Sequence, residues 1–229
     1  VFATDTAAFS DAWLRNNPRR PENYESWSDA LLRLADEGRL DRQRLLDASL
    51  SGLWKSTSSN VLSGYHQLHQ RLAPTAAELD AREAQYRDLL SHRTGHVVGF
   101  ALRQLASIAR RRPLAATPTL TTMLPLFSLP AKAHALAALK LVGRIMQQAD
   151  QEGREAAITD AAHAVLFEAL RHRESEVQEA AAQLLAAGAD AWDAARVSQW
   201  LRVDGEISAH ARAQLANLSG AAAVPVAAA

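Results

Sequence analysis

The sequence contains no cysteine, which excludes disulfides, thiolate metal sites, iron–sulfur clusters and cysteine nucleophiles together. Aromatic residues make up only 6% and β-branched residues are few, so the composition favours helix over sheet. The 25 basic residues are balanced by 25 acidic ones. With a net charge of zero, the chain as a whole has no field that would attract nucleic acid or an anionic membrane.

Long apolar runs are also missing, and none approaches the ~20 residues that span a bilayer. The first ten residues lack the basic and then apolar pattern of a signal peptide. We therefore expect a soluble cytoplasmic protein with no membrane contact. The absence of an initial methionine and the terminal AAAVPVAAA indicate a piece of a longer protein.

An apolar ladder at i, i+4 and i+8 is the main positive signal, because this spacing marks one stripe of an α-helix. Small alanines in the middle position would let a neighbouring helix approach closely. The four copies are Val97/Ala101/Leu105, Ala133/Ala137/Leu141, Val177/Ala181/Leu185 and Ile207/Ala211/Leu215. Successive copies are 36, 44 and 30 residues apart, which suits units of two antiparallel helices.

The ladder predicts an all-α, right-handed α-solenoid of HEAT-like antiparallel helix pairs, in which the ladder helices stack side by side through their alanines. We expect capping helices over residues 1–38, a repeat region over 39–218 and a flexible alanine-rich tail over 219–229. The solenoid's first unit has no neighbour on one side and is expected to be atypical there. One continuous solenoid is the simplest domain organisation for this length.

Local signals predict where individual helices begin and end. A first helix is expected over residues 5–17 with Phe9 and Trp13 inward, and later ones near 191–201 and 207–218. We predict caps at Asn23, Asp41, Thr75 with Glu78, and Thr117 before Pro118. A single helix is predicted from Thr75 to about Ser91, and Pro125 is expected to shorten its own helix. Trp27 and Trp54 are expected to point inward.

Histidines are the only candidates for metal or catalytic chemistry, and spacing supports neither role. His66 with His69 and His92 with His96 lack a third ligand nearby, so we interpret them as solvent-facing or helix-terminal residues. His163 beside Asp160 has no nucleophile in local spacing to complete a triad. We therefore predict no enzyme activity, no cofactor and no metal.

Two features suggest nucleic acid as an alternative ligand. Arg110, Arg111 and Arg112 form the densest basic run, although arginines are commonplace at helix C-termini, where they interact with the last carbonyls. Trp192 followed by Asp193 hints at the aromatic and acidic groups of a helical-repeat glycosylase. We interpret Trp192 as a core residue of the last repeat, and keep DNA binding on a glycosylase-type scaffold as the second hypothesis.

Between about residues 39 and 188 the chain resembles an uncharacterised bacterial helical-repeat family, described only as a domain of unknown function. The resemblance is carried by RLLDASLSGLW (44–54), LAPTAAEL (72–79), Arg82, YRDLL (86–90), VVGFALRQL (97–105), LFSLPAKAHALAALKL (126–141) and SEVQEAAAQLL (175–185). It implies an adaptor working with MoxR-type ATPases, von Willebrand factor A domain proteins and SWIM zinc-finger proteins. It implies no catalytic residues, and segments 1–38 and 189–229 are not part of it.

The outward positions of the ladder helices provide the candidate binding surface. Basic residues lie on the helices of the first two ladders, and acidic or amide residues on the third. The predicted partner-binding residues are Arg103, Arg110, Lys140, Arg144, Glu176, Glu179 and Gln183. Because the surface changes sign along this row, we expect a protein partner, whereas DNA would favour positive charge throughout.

Overall fold

The structure is a computed structural model that describes residues 26–153, 156–188 and 207–222. The expected helices at 5–17 and 191–201, the Asn23 cap and Trp192 lie outside these residues, as does most of the tail. The described parts are helical and contain no strand. Their α-helices are α1 Trp27–Asp36, α2 Arg42–Lys55, α3 Ser59–Leu72, α4 Ala76–Ala81, α5 Glu83–Asp88, α6 Gly95–Ala109, α7 Ala116–Met123, α8 Lys132–Glu152, α9 Ala156–Leu170, α10 Ser175–Ala187 and α11 Ala209–Ala222.

Side-chain caps fix the beginnings of the first helices. Asp41 accepts hydrogen bonds from the two backbone N–H groups of Gln43 and Arg44, as expected. The predicted Thr75–Glu78 capping box is confirmed, with the Thr75 N–H donating to Glu78 Oε2 at 2.8 Å. The N-cap of α1 is Ser26, which forms a complete capping box with Asp29.

Two predicted helices differ from the structure. The segment from Thr75 to Ser91 is broken at Arg82 (φ −110°, ψ 16°) and ends in a 3₁₀ turn, Leu89–Ser91. The Arg82 side chain is 6% exposed; its guanidinium bonds Asp47 of α2 and also donates to the Glu78 carbonyl in the preceding turn. Helix α7 begins before Thr117, with Ala115 at its N-cap. Pro125 does shorten it, and a 3₁₀ segment follows over Leu124–Ser128.

The chain divides into two compact units, Val1–Val97 and Val98–Ala229. In the first unit α2 and α3 form the central pair, α1 packs on α3, and α5 packs on α2. Leucines of α2 and α3 fill this core, while the two tryptophans predicted to point inward do not enter it. Trp27 is 56% exposed and Trp54 49%. Trp54 follows the fully buried Leu53. Because neighbouring residues of an α-helix point in different directions, Trp54 lies beside the buried stripe of α2 and not within it.

In the second unit α6, α8 and α10 lie side by side and run in the same direction. Near their beginnings Gly99 of α6 faces His134 of α8, and near their ends the Gln148 side chain donates to the Ala109 carbonyl at 3.0 Å. From α8 to α10 the same pattern recurs, since Lys132 forms an ion pair with Glu176. Helix α9 packs against α7, α8 and α10, and α11 packs on α10.

The predicted ladder residues are mostly buried in α6, α10 and α11, but in α8 a different set of residues is buried. The ladder residues are buried in α6 and α10, as are Ala211 and Leu215 of the last copy, whereas Ile207 is only half-buried and lies before α11 begins. In α8, however, Ala133 and Ala137 are exposed. A second stripe of α8 is buried instead: Ala135, Ala138, Leu139, Val142 and Ile145. That stripe carries more apolar surface than two alanines, so burying it is more favourable.

Candidate functional site

A groove of about 480 Å³ lies between α6 and α8, within the second unit. The buried side chains of Leu102 and Leu141 give it apolar surface, and the exposed Ala133 and Ala137 line it on the α8 side. Four exposed cations surround it: Arg103, Arg110, Lys140 and Arg144. The structure therefore brings the four basic residues predicted from the sequence to one site.

Small residues create this groove. The helices approach each other closely where Gly99 meets His134, since a Cβ on Gly99 would lie 2.9 Å from the imidazole Nε2. Further along, Ala106 faces the same space as the two exposed alanines of α8. Side chains of this size cannot fill the gap between two helices, and the space stays open on the outer surface. Ala133 and Ala137, which the ladder wrongly predicted to be buried, are thus among the residues that line the groove.

The four cations have no partner within the described residues. None of their side chains forms a hydrogen bond or an ion pair there, in contrast to Lys132 at the beginning of α8, which pairs with Glu176. Lys140 and Arg144 are four residues apart on one helix, a spacing at which like charges destabilise the helix by about 0.2–0.5 kcal/mol. These charges do not stabilise the fold, which is expected of side chains placed for an anionic ligand.

One of the residues that line the groove has an unsatisfied polar atom. His134 Nδ1 is buried and has no hydrogen-bond partner within the described part of the chain. Its ring lies against Gly99 through the other nitrogen. Buried polar atoms normally find a partner, so this nitrogen is an exception among the described residues.

The other three predicted site residues lie on α10, outside the groove. Glu176 is engaged by Lys132, and Glu179 accepts a 3.5 Å hydrogen bond from the Ser208 hydroxyl. Gln183 is exposed. Helix α10 is nevertheless the neighbour of α8, because a Cβ on Gly143 would lie 2.8 Å from the Leu184 side chain. Basic and acidic residues therefore occupy adjacent helices, as the sequence predicted.

A buried polar chain in the first unit was not predicted. His69 was interpreted as solvent-facing or helix-terminal; it does lie in the last turn of α3, but it is 1% exposed. Its Nδ1 lies 2.8 Å from Ser49 Oγ, and its Nε2 lies 2.9 Å from the Tyr86 hydroxyl. A signal was present in the ladder: Val61, Tyr65 and His69 precede the Val97, Ala101 and Leu105 positions by 36 residues each, so His69 falls on the inward stripe.

The Ser49–His69 pair does not have the properties of a catalytic dyad. The Ser49 hydroxyl is fully buried and donates to the Leu46 carbonyl at 2.6 Å, so it accepts from His69. Tyr86 then donates to the other ring nitrogen. Burial, helped by the positive charge of Arg82, lowers the pKa of His69 to about 4, and burial raises the pKa of Tyr86. The arrangement is a neutral, satisfied network that joins α2, α3 and α5.

Two further histidines occupy equivalent places in the two units. His92, also expected to be solvent-facing or helix-terminal, is buried; its Nε2 lies 3.2 Å from the Ser56 carbonyl, and its Nδ1 accepts from the Thr94 N–H. Eighty residues later, His172 bonds the Leu129 carbonyl at 3.1 Å and accepts from the Glu174 N–H. Each histidine ties the turn before a ladder helix to an earlier turn of the chain.

Other kinds of site have no support in the described ranges. No group of three His, Asp or Glu residues there could hold a metal ion. His66 and His96 do approach each other, with ring centroids 6.4 Å apart, but no third ligand joins them. His163 stacks on Phe167, with ring centroids 6.1 Å apart. No helix of the described segments has the length and apolar character needed to cross a bilayer.

The molecule is thus an all-helical protein whose clearest candidate site is an exposed basic groove. It belongs to the family described as a domain of unknown function (DUF6493), which matches residues 1–133. The match includes the segment before residue 39, where the sequence had suggested no resemblance, and it ends before the SEVQEAAAQLL motif of α10. Comparisons with curated proteins and with solved structures found no match.

Proposed function

We propose that this protein is a non-catalytic adaptor, a HEAT-like right-handed solenoid that binds a protein partner on the surface of its ladder helices. The observation that carries the proposal is the convergence of four unpaired cations from α6 and α8 around one groove. Exposed charges without partners contribute little to stability but strongly influence which molecules associate and how fast.

The helix arrangement supports the repeat interpretation. Helices α6, α8 and α10 begin together and run in the same direction, which is how the second helices of stacked pairs are related. His92 and His172 repeat one set of hydrogen bonds at the same position relative to two ladders. These features favour stacked helix pairs over an irregular bundle.

A protein partner fits the charge distribution better than DNA does. Beside the basic groove, α10 carries Glu179, and Glu176 offsets the positive charge of Lys132, so the positive field does not continue across the row for a phosphate backbone to follow. The basic run 110–112 also has fewer arginines available for phosphate contacts than the sequence suggested. Arg111 bonds the Ser107 carbonyl and Arg112 the Pro113 carbonyl, so Arg110 is the residue of that run that lines the groove.

The experiment compares the wild type with Arg103→Glu/Lys140→Glu/Arg144→Glu. Because these three side chains are exposed and unpaired, we expect the variant to fold. A matched control, Arg171→Glu/Arg173→Glu/Arg212→Glu, reverses three exposed charges of the same unit outside the groove. Circular dichroism and thermal unfolding check both proteins before any binding measurement.

We expect a protein captured from the native host to bind the wild type and the control but not the groove variant, and to do so again after purification. The resemblance makes MoxR-type ATPases and von Willebrand factor A domain proteins the first candidates. A titration with duplex DNA runs in parallel. Sub-micromolar, salt-sensitive DNA binding lost only in the groove variant would establish the DNA-binding alternative and contradict the proposal.

A further inference from the structure

The axial spacing of the groove cations restricts the shape of an anionic ligand. Arg103 lies on α6, and Arg110, seven residues later, directly follows the last residue of that helix, which places the two about 10 Å apart along the helix direction. Lys140 and Arg144 are four residues apart on α8, or about 6 Å. The groove therefore has two cations on each side. A ligand that contacts all four is elongated and carries negative charge along both of its edges.

The surface between the cations is apolar. Leu102, Leu141 and the alanines of both helices line it, so a matching ligand has apolar groups between its two charged edges. A free inorganic anion or a phosphate backbone would satisfy the cations but leave this surface in contact with water or with charged groups. A protein segment can supply both kinds of group at once.

The groove offers no backbone partners for an extended peptide. Both walls are α-helices, whose N–H and C=O groups away from the helix ends are bonded within each helix. An extended segment would bring its own unpaired N–H and C=O groups to an apolar surface, which is costly, whereas a helix satisfies its backbone internally. The small residues Ala106, Ala133 and Ala137 also permit a helix to approach closely.

We infer that the groove binds an acidic amphipathic helix of a partner protein. Aliphatic side chains of that helix lie over Leu102, Ala106 and Ala137. Asp or Glu residues on the two sides of its apolar stripe contact the cations of α6 and α8. This inference rests on the proposed function and specifies the chemistry of the partner.

The test uses two synthetic peptides of one composition, rich in Glu and Leu. In the first, Leu recurs at i, i+3, i+4 and i+7 with Glu on both sides of this stripe; in the second, the same residues are scrambled. Fluorescence anisotropy measures the affinity of the purified protein for each. We expect the patterned peptide to bind at least about tenfold more tightly than the scrambled one. Equal affinities would mean that charge alone attracts the peptide, which contradicts the inference.

Variants separate the charged and apolar parts of the site. Lys140→Glu/Arg144→Glu is expected to weaken binding of the patterned peptide at least about tenfold, and the matched control Arg171→Glu/Arg212→Glu less than about twofold. Ala137→Phe keeps every charge but fills the groove, and because Ala137 is exposed it leaves the fold intact. We expect it to weaken binding as strongly. Unchanged affinity in Ala137→Phe would overturn the inference.

Two outcomes distinguish this inference from the proposed function. If a captured host protein requires the groove cations but neither the patterned peptide nor a helix of that protein binds, the adaptor function stands and the acidic helix is wrong. If duplex DNA binds more tightly than the patterned peptide and responds to the same variants, both are wrong. Binding of the patterned peptide that depends on both Lys140 and Ala137 supports the inference.

Discussion

Gly52 of α2 lies directly against the ring of Tyr65 of α3, so closely that a Cβ at this glycine would overlap the aromatic carbons. Tyr65 occupies the ladder position that Ala101 occupies 36 residues later. In the pair formed by α2 and α3, the large residue, Tyr65, is therefore on α3, and the residue without a side chain, Gly52, is on α2. The two helices can approach closely because the Tyr65 ring occupies the space that a side chain at Gly52 would need.

We predict that Gly52→Ala lowers the free energy of unfolding by about 1–3 kcal/mol, although alanine is the better helix former, because the methyl group overpacks the interface. Urea denaturation measures the change. Ser51→Ala, at the exposed neighbouring position of the same helix, is the control and is expected to have little effect. In a Tyr65→Leu background the loss of unfolding free energy caused by Gly52→Ala should be smaller. An unchanged loss would contradict the idea that Gly52 makes room for the Tyr65 ring.

The ladder shows how far sequence reasoning reached. It placed the buried residues of α6 and α10 correctly, because in those helices one apolar stripe dominates. In α8 the segment KAHALAALKLV offers two stripes, and spacing alone favoured Ala133 and Ala137. The total apolar area on each stripe decides burial, and that area favours the stripe of Leu139 and Val142.

The register of α8 is tested by two substitutions of the same kind. Ala181→Arg places a charge at a fully buried position and is expected to cost about 3–5 kcal/mol. Ala137→Arg adds the same side chain at an exposed position, and we expect a change within about 0.5 kcal/mol. Thermal unfolding of both variants beside the wild type provides the comparison. Similar losses in both would restore the original ladder interface in α8.

The candidate site was predictable in its charges but not in its shape. Residues that leave the ladder stripe point outward, so the sequence could assign Arg103 and Lys140 to the surface. The groove between them depends on the facing positions of Gly99 and His134 on different helices, a pairing that local periodicity does not encode. The polar contacts of His69 were missed for the same reason, because Ser49 and Tyr86 lie on other helices.

The His69 network predicts a pH dependence of stability. Because the pKa of His69 is lowered from 6.5 to about 4 in the folded state, the unfolded chain binds a proton more readily. The stability from neutral His69 is therefore complete above pH 6.5 and is lost as the pH falls toward 4. The loss amounts to about 3 kcal/mol at most, at 1.36 kcal/mol per unit. Denaturation midpoints between pH 7 and 4 measure it.

The control is His69→Gln, which cannot be protonated. We expect it to be less stable than the wild type at pH 7, because the contacts to Ser49 and Tyr86 are disturbed, but to show a flatter profile between pH 6.5 and 4. Hydrogen bonds from Arg42 lower the pKa of Glu78 to about 2, so its contribution is lost at lower pH, below about 4.5. An identical slope in wild type and variant would exclude His69 as the cause.

His92 and His172 are expected to be equivalent in energy as they are in geometry. His172→Ala leaves the Leu129 carbonyl and the Glu174 N–H without their partner, and His92→Ala does the same to the Ser56 carbonyl and the Thr94 N–H. Each change should cost about 1–3 kcal/mol. Exposed His210→Ala is the control and should be near neutral. A large loss in one histidine variant alone would argue against a repeated structural role.

The last prediction separates binding from stability in the groove. Lys140→Gln/Arg144→Gln removes two unpaired like charges at i, i+4, so we expect the free energy of unfolding to rise by about 0.2–0.5 kcal/mol at low salt, while partner binding falls. The gain should vanish at high salt, where the repulsion is screened. Lys132 is on the same helix, α8, and forms an ion pair with Glu176 of α10. Lys132→Gln breaks this pair and should instead lower stability slightly. Urea denaturation at two salt concentrations compares the three proteins. A loss of stability in the double variant would show that these cations hold the fold, and the argument that they are kept for an anionic ligand would fail.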